Sequence, residues 1–249
     1  MLTGHWPTTP IEPTISPILH AILSQGRARR AITMLYNALL HMRIQPLDKI
    51  RASWEEDIVT QLSEAQWKQA TAQVKDVSRN MRLRYTQMNY LHKTYLTPLR
   101  LSKMYSTTSS KCPRCPHNNA DFFHMVWNCP VIAETWDTVC NNISEILELE
   151  VPRSPESCLL GIRPITKHNK QSNRFINLAT ILFKRQIAMK WKSNNPPDIK
   201  IWLKILLKWS NAEVNALQNM TGRNCNPEAK QTWDAYIQAL TVKNDERPP

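Results

Sequence analysis

Apolar residues in this chain recur three and four positions apart along almost its whole length, and that spacing commits it to helices. In PVIAETWDTVCNNISEILEL (130–149), Ile132, Trp136, Val139, Ile143 and Ile146 fall on one helical face. Glycine occurs only at Gly4, Gly26, Gly161 and Gly222, against 17 prolines. Proline cannot continue a helix but readily starts one. The expected fold class is therefore all-α, an irregular multi-helix domain with proline-marked starts and stops.

Local signals divide the chain further. Residues 1–50 read as a proline-rich lead-in followed by a helix over ILHAILSQGRARRAITMLYNALLHM. Ser53 with Glu56, and Ser63 with Gln66, fit the capping box, so helices are expected to begin at both serines. In the second of these, Trp67, Ala70, Val74, Val77 and Met81 make one apolar stripe that Met88 and Leu91 extend. Thr97 before Pro98 predicts a short helix over TPLRLSKMY. VPRSPESCLLGIRPITKHNKQSN (151–173) is the best internal boundary, separating a helical region at 51–150 from a C-terminal helical subdomain at 165–249. That subdomain is expected to hold three helices, over RFINLATILFKRQIAMKWKS, PDIKIWLKILLKWSNAEVNALQ and EAKQTWDAYIQAL.

The formal net charge is +12, which points to an anionic partner: nucleic acid, a phospholipid surface or an acidic protein. The start of the chain has no apolar leader and no run of about 18 apolar residues occurs, so an intracellular protein, cytoplasmic or nuclear, with reduced thiols is expected, and no membrane partner.

Cys112, Cys115, His124 and Cys129 are spaced Cys-x2-Cys-x8-His-x4-Cys. A Cys-x-x-Cys turn aims two thiolates at one point, and a later His and Cys can complete the tetrahedron that zinc favours. The His-x4-Cys pair is expected on a short helical turn in DFFHMVWNC. Structural Zn2+, a relic site without metal and a redox pair all fit a Cys-x-x-Cys; the added His and third Cys favour zinc, in a small knuckle insertion at 106–130. Four ligands close the shell, leaving no position for a catalytic water. Cys140, Cys158 and Cys225 have no evident partners and read as small buried apolar residues.

WEEDIVTQLSEAQW (54–67), MNYLHKTYLTPLRLSKMY (88–105), CPRC with HMVWNC, and IAMKWKS with a downstream WLKILLKW stand in consistent order over about residues 50–215. Together they resemble the C-terminal region of the second open reading frame of long-interspersed-element-type non-LTR retrotransposons, the tail of a reverse-transcriptase polyprotein. The most specific piece is His-x-x-Tyr-x-Thr-Pro-x-Arg-Leu (92–101) followed by the cysteine-histidine segment. The resemblance implies a zinc-knuckle domain that binds RNA or single-stranded nucleic acid, without the endonuclease or polymerase of the parent polyprotein. The family usually has glycine after the second ligand cysteine. Here Pro116 stands in that place, with its φ fixed near −65°.

For a nucleic-acid partner, phosphate contacts are expected from Lys93, Arg100, Lys103, Lys111 and Arg114, and base stacking from Tyr95 and Trp127, although each aromatic also suits the core. Lys200, Lys204 and Lys208 form one edge of IKIWLKILLKW, whose other faces are apolar, a pattern that suits burial with one wet edge better than a membrane surface. The chain has no Asp-Asp dipeptide for polymerase metals, no nucleophile elbow, no phosphate-cradling glycine loop and no HExxH, so it is not expected to be an enzyme. The alternative to nucleic-acid binding is a helical interaction module that docks on a polymerase core, or a decayed retrotransposon fragment.

Overall fold

A computed structural model describes Tyr36 and residues 46–163, 170–219 and 227–245. Every regular element among them is helical, so the all-α class holds. The expected helix over 18–42, its GRARR cluster and Cys225 lie outside the described residues, apart from the exposed Tyr36. The chain divides into two compact units, Met1–Ser53 and Trp54–Pro249, and the site lies in the second.

The helices are α1 (Pro46–Ile58), α2 (Glu64–Asp76), α3 (Met81–Leu91), α4 (Pro98–Met104), α5 (Pro130–Leu147), α6 (Lys170–Met189), α7 (Ile199–Asn219) and α8 (Pro227–Asp245). Two π turns, His124–Asn128 and Glu156–Leu160, precede α5 and α6.

Ser63 caps α2 as expected: its Oγ accepts from the Gln66 amide at 3.2 Å, and its own amide donates to Gln66 Oε1 at 2.8 Å. Ser63→Ala is expected to cost about 1 kcal/mol in urea denaturation, and Ser63→Gly only a few tenths. Thr97 caps α4 in the same way, through the Arg100 amide, with Pro98 opening the helix. Ser53, by contrast, starts nothing. It lies inside α1, which begins at Pro46, a residue already set for the first helical position, with Asp48 in the first turn.

The continuous stripe expected from Trp67 to Leu91 is broken. Asn80 caps a new helix by accepting from the Arg82 amide at 2.9 Å, and the Ser78 hydroxyl accepts from the Asn80 amide. The register restarts there, so Trp67, Ala70 and Val77 are buried on one side of the break, while Met81 (71% exposed) and Met88 (47%) face out. The buried face of α3 is Leu83, Thr86, Gln87, Tyr90 and Leu91.

α6 is the hub and begins at Lys170 rather than Arg174. It contacts α3, α5, α7, α8 and the second π turn, and is buried nearly all round. Four tryptophans anchor the helices with their ring N–H groups satisfied. Trp54 donates to Leu91 O, Trp136 to Val126 O, Trp202 to Ala179 O and Trp233 to Gln171 Oε1. In α7, Trp202 and Leu206 face inward and Lys200, Lys204 and Lys208 outward, as its sequence suggests, but Ile201, expected on the apolar face, is 49% exposed beside the lysines.

The proline-rich segment at 151–163 packs against α2, α3 and α6 through its π turn. It ends at Gly161, whose φ of 73° suits glycine; a Cβ there would stand 2.7 Å from Gln73 Cγ.

Candidate metal centre

The knuckle is built on a short frame of backbone bonds. The Leu99 amide at the start of α4 donates to Ala120 O, the Ala120 amide to Ser110 O, and the Cys112 amide to His117 O. The left-handed residue this loop needs is Asn119, at φ 61°. Pro116 is not among the left-handed residues and so keeps the negative φ its ring imposes.

The ligand pair His124 and Cys129 is not on an α-helical turn. At 3.6 residues per turn, positions i and i+5 point about 140° apart. Instead the Cys129 amide donates to His124 O at 2.9 Å, the i→i+5 bond of a π turn, which brings the two side chains to one side. Asp121 starts that turn by accepting from the His124 amide at 2.7 Å.

The Cys112, Cys115, His124 and Cys129 ligand atoms all lie within 4.8 Å of one another, and this cluster can hold a metal ion. Cys112 Sγ and Cys129 Sγ are 3.9 Å apart, and Cys115 Sγ is 3.4 Å from His124 Nε2. Burial, together with the stacked His117 ring at 4.1 Å, lowers the His124 pKa and keeps the imidazole in its neutral, ligating form. Burial also pushes the Cys129 thiol up to about 11, opposed by the amides of Val131 and Ile132 at the start of α5. The Arg114 amide points at Cys112 Sγ from 3.4 Å.

The residues expected to meet nucleic acid separate into two groups. Arg114 is only 9% exposed; its guanidinium donates to Met125 O and to Lys190 O and Trp191 O, tying the knuckle to the end of α6, so it is not a free phosphate contact. Lys93 pairs with Asp57 at 2.5 Å and lies 4.8 Å over the Trp54 ring. Trp127 is 7% exposed, packed against Trp136 with Arg153 over its ring, which leaves no face for a base. Tyr95, half-buried, stacks on Phe122 and tilts against Trp191, so its ring faces are largely taken by other aromatics. Arg100, Lys103 and Lys111 are exposed, with Arg100 also donating to Lys93 O.

The structure adds Trp191 and Lys192. They line a groove of about 290 Å³ beside the knuckle with Leu96, Pro98, Leu101 and Lys111. The signal for them is the Lys-Trp-Lys of IAMKWKS, but nothing in the sequence places it next to residues 96–111.

A comparison with models of known protein families finds no match. No helix among the described residues is long and apolar enough to cross a membrane.

Proposed function

We propose that this chain is a non-catalytic, zinc-stabilised helical module that binds RNA or single-stranded nucleic acid, of the kind found in the C-terminal tail of non-LTR retrotransposon reverse transcriptases. The observation that carries this reading is the convergence of three cysteines and one histidine within 4.8 Å in a chain of net charge +12.

Zinc is the ion that suits the set. Bonds of about 2.3 Å to sulfur and 2.0 Å to nitrogen in a tetrahedron give ligand separations of about 3.5–3.8 Å; two pairs stand at 3.9 and 3.4 Å, and the widest, at up to 4.8 Å, would have to draw in by about 1 Å. Three thiolates around Zn2+ leave the shell with one net negative charge. Arg114, a buried guanidinium that hydrogen-bonds only to carbonyls and whose Nε has no partner, then gains a counter-charge.

The phosphate contacts fall to Arg100, Lys103 and Lys111, joined by Lys192 across the groove. Fluorescence anisotropy with a single-stranded RNA oligonucleotide across a potassium chloride series tests this. Affinity is expected to fall with a log-log slope of about −0.7 per neutralised phosphate, and the Lys103→Gln/Lys111→Gln pair to make the slope shallower by about 1.4. Binding that ignores salt counts against the proposal.

One observation favours a second reading. Met81, Tyr85 and Met88 stand at i, i+4 and i+7 on α3 and are all exposed, an apolar stripe of the kind that docks on another protein, such as a polymerase core. A chain that associates until such a core is supplied, and ignores RNA, supports docking instead.

A further inference from the structure

Two of the cysteines outside the metal centre meet in the core. Cys140, from the middle of α5, and Cys158, in the second π turn, place their sulfurs 3.7 Å apart, both buried. Two cations stand close by, Arg163 and Lys184, both buried as well.

Neither cation has a carboxylate partner among the described residues. Arg163 donates to Ser157 O, the Ser157 hydroxyl and Asn177 Oδ1, and its Nε has no partner. Lys184 donates to Gln87 Oε1 at 2.6 Å and Leu159 O at 3.0 Å. Burying cations against neutral acceptors is costly unless the cation sheds its proton or something nearby becomes an anion; burial lowers the Lys184 pKa to about 7, which leaves Arg163 as the lasting cation. The group in this cluster that can become that anion is a thiol.

We infer that Cys140 and Cys158 are a redox-modification site: a buried dithiol that a hydroperoxide converts to an intramolecular disulfide, with Cys158 as the attacking sulfur. This assignment is independent of the metal centre and of the nucleic-acid reading.

The asymmetry between the two sulfurs follows from their surroundings. The thiol–thiol hydrogen bond with Cys140, together with the positive field of Arg163 and Lys184, lowers the Cys158 pKa despite burial. Cys140, in the same hydrogen bond, itself buried and beside Asp137, is held well above the usual thiol range. A lowered thiol pKa at a positive site is what makes one cysteine of a pair the nucleophile.

In the first step the Cys158 thiolate attacks a peroxide oxygen; the O–O bond breaks, sulfur is oxidised to sulfenic acid, and the leaving hydroxide takes a proton to become water. Cys140, losing its proton, then attacks the sulfenic sulfur, the S–S bond forms, and a second water leaves. Two thiols and one hydrogen peroxide thus give one disulfide and two waters. A groove of about 780 Å³ ends one residue short of the pair: it is lined by Ser157 and Arg163 but by neither cysteine, so a peroxide reaches Cys158 only when the π turn opens.

The test uses the full chain purified with zinc, treated with a few equivalents of hydrogen peroxide, alkylated and digested without reduction. The expected product is a cross-linked peptide pair holding Cys140 and Cys158, about 2 Da lighter than the two thiol peptides and reversed by dithiothreitol. In Cys140→Ser, dimedone is expected to label Cys158; in Cys158→Ser, it is expected to leave Cys140 unlabelled. Circular dichroism checks that both variants fold, and if either does not, cross-link mapping of the unmodified chain decides. Cys140 and Cys158 recovered as free thiols at doses that oxidise the knuckle cysteines would overturn the inference. So would cross-linking of either to Cys225 in place of each other, or dimedone on Cys140.

Discussion

Cys129→Ala is expected to abolish stoichiometric metal binding and to release the amides of residues 106–119 to hydrogen exchange, while the buried segment at 120–128, α6 and α7 keep their protection. The reason is the poverty of the knuckle's own contacts. Residues 103–107 and 116–119 are exposed, and beyond the ligands the loop rests on a few backbone bonds and the Arg114 tie. In small peptides a structural zinc site contributes on the order of 10–16 kcal/mol, far more than such a frame can supply. Elemental analysis and exchange mass spectrometry read the two effects separately, and a chelator on the unmodified chain should reproduce the exchange pattern. A variant that keeps one metal per chain would remove Cys129 from the ligand set.

The pH dependence of this centre has a definite sign. Without metal, burial holds the Cys129 thiol at about 11, above its ordinary 9.0. Ligation requires the thiolate, so metal binding expels a proton there and is favoured as pH rises. Acidification therefore releases the ion, and the exchange pattern of Cys129→Ala should appear in the unmodified chain as the metal leaves.

Trp136→Ala is expected to have the largest effect away from the ligands, lowering stability by about 3–5 kcal/mol. Trp136 is fully buried, its ring meets Phe183 of α6 edge-on at 4.6 Å and Trp127 at 5.6 Å, and its Nε1–H donates to Val126 O at 2.9 Å. The substitution opens a cavity between α5 and α6 and orphans a carbonyl in the π turn. Trp136→Phe separates these two losses: it keeps most of the volume and loses the hydrogen bond, for about 1–3 kcal/mol. Urea titration measures both, and a loss below about 1 kcal/mol in the alanine variant would mean that the core does not depend on this ring.

Features decided within a few residues were legible in the sequence. Ser63 with Gln66 and Thr97 with Pro98 cap helices because both partners in each cap lie within one turn. The inward face of α5, from Ile132 to Ile146, follows from period alone. The convergence of Cys112, Cys115, His124 and Cys129 could be read because their spacing is confined to 18 positions, short enough for one loop and one turn to bring them together.

What escaped the sequence depends on competition or distance. Ser53 carries the same capping pattern as Ser63, but a proline seven positions earlier had already started the helix. Asn80 won over an apolar stripe that ran through it, and Met81 and Met88 changed sides as a result. The pitch of the turn between His124 and Cys129 is a property of backbone bonding that residue type does not announce. Arg114 and Lys93 look like surface cations because their partners, Lys190 O and Asp57, are 76 and 36 positions away in the chain. Cys140 and Cys158 seemed solitary for the same reason, 18 positions apart across a proline-rich stretch.

Cys129 is both the last member of the cysteine–histidine cluster and the residue from which α5 departs. No spacer lies between the cluster and a rod of 18 residues, about 27 Å long, whose far end meets α8 where Lys243 reaches Glu145. α5 is held along its buried face by α6, α7 and α8, so any strain at the cluster is handed straight to the core rather than to the solvent side.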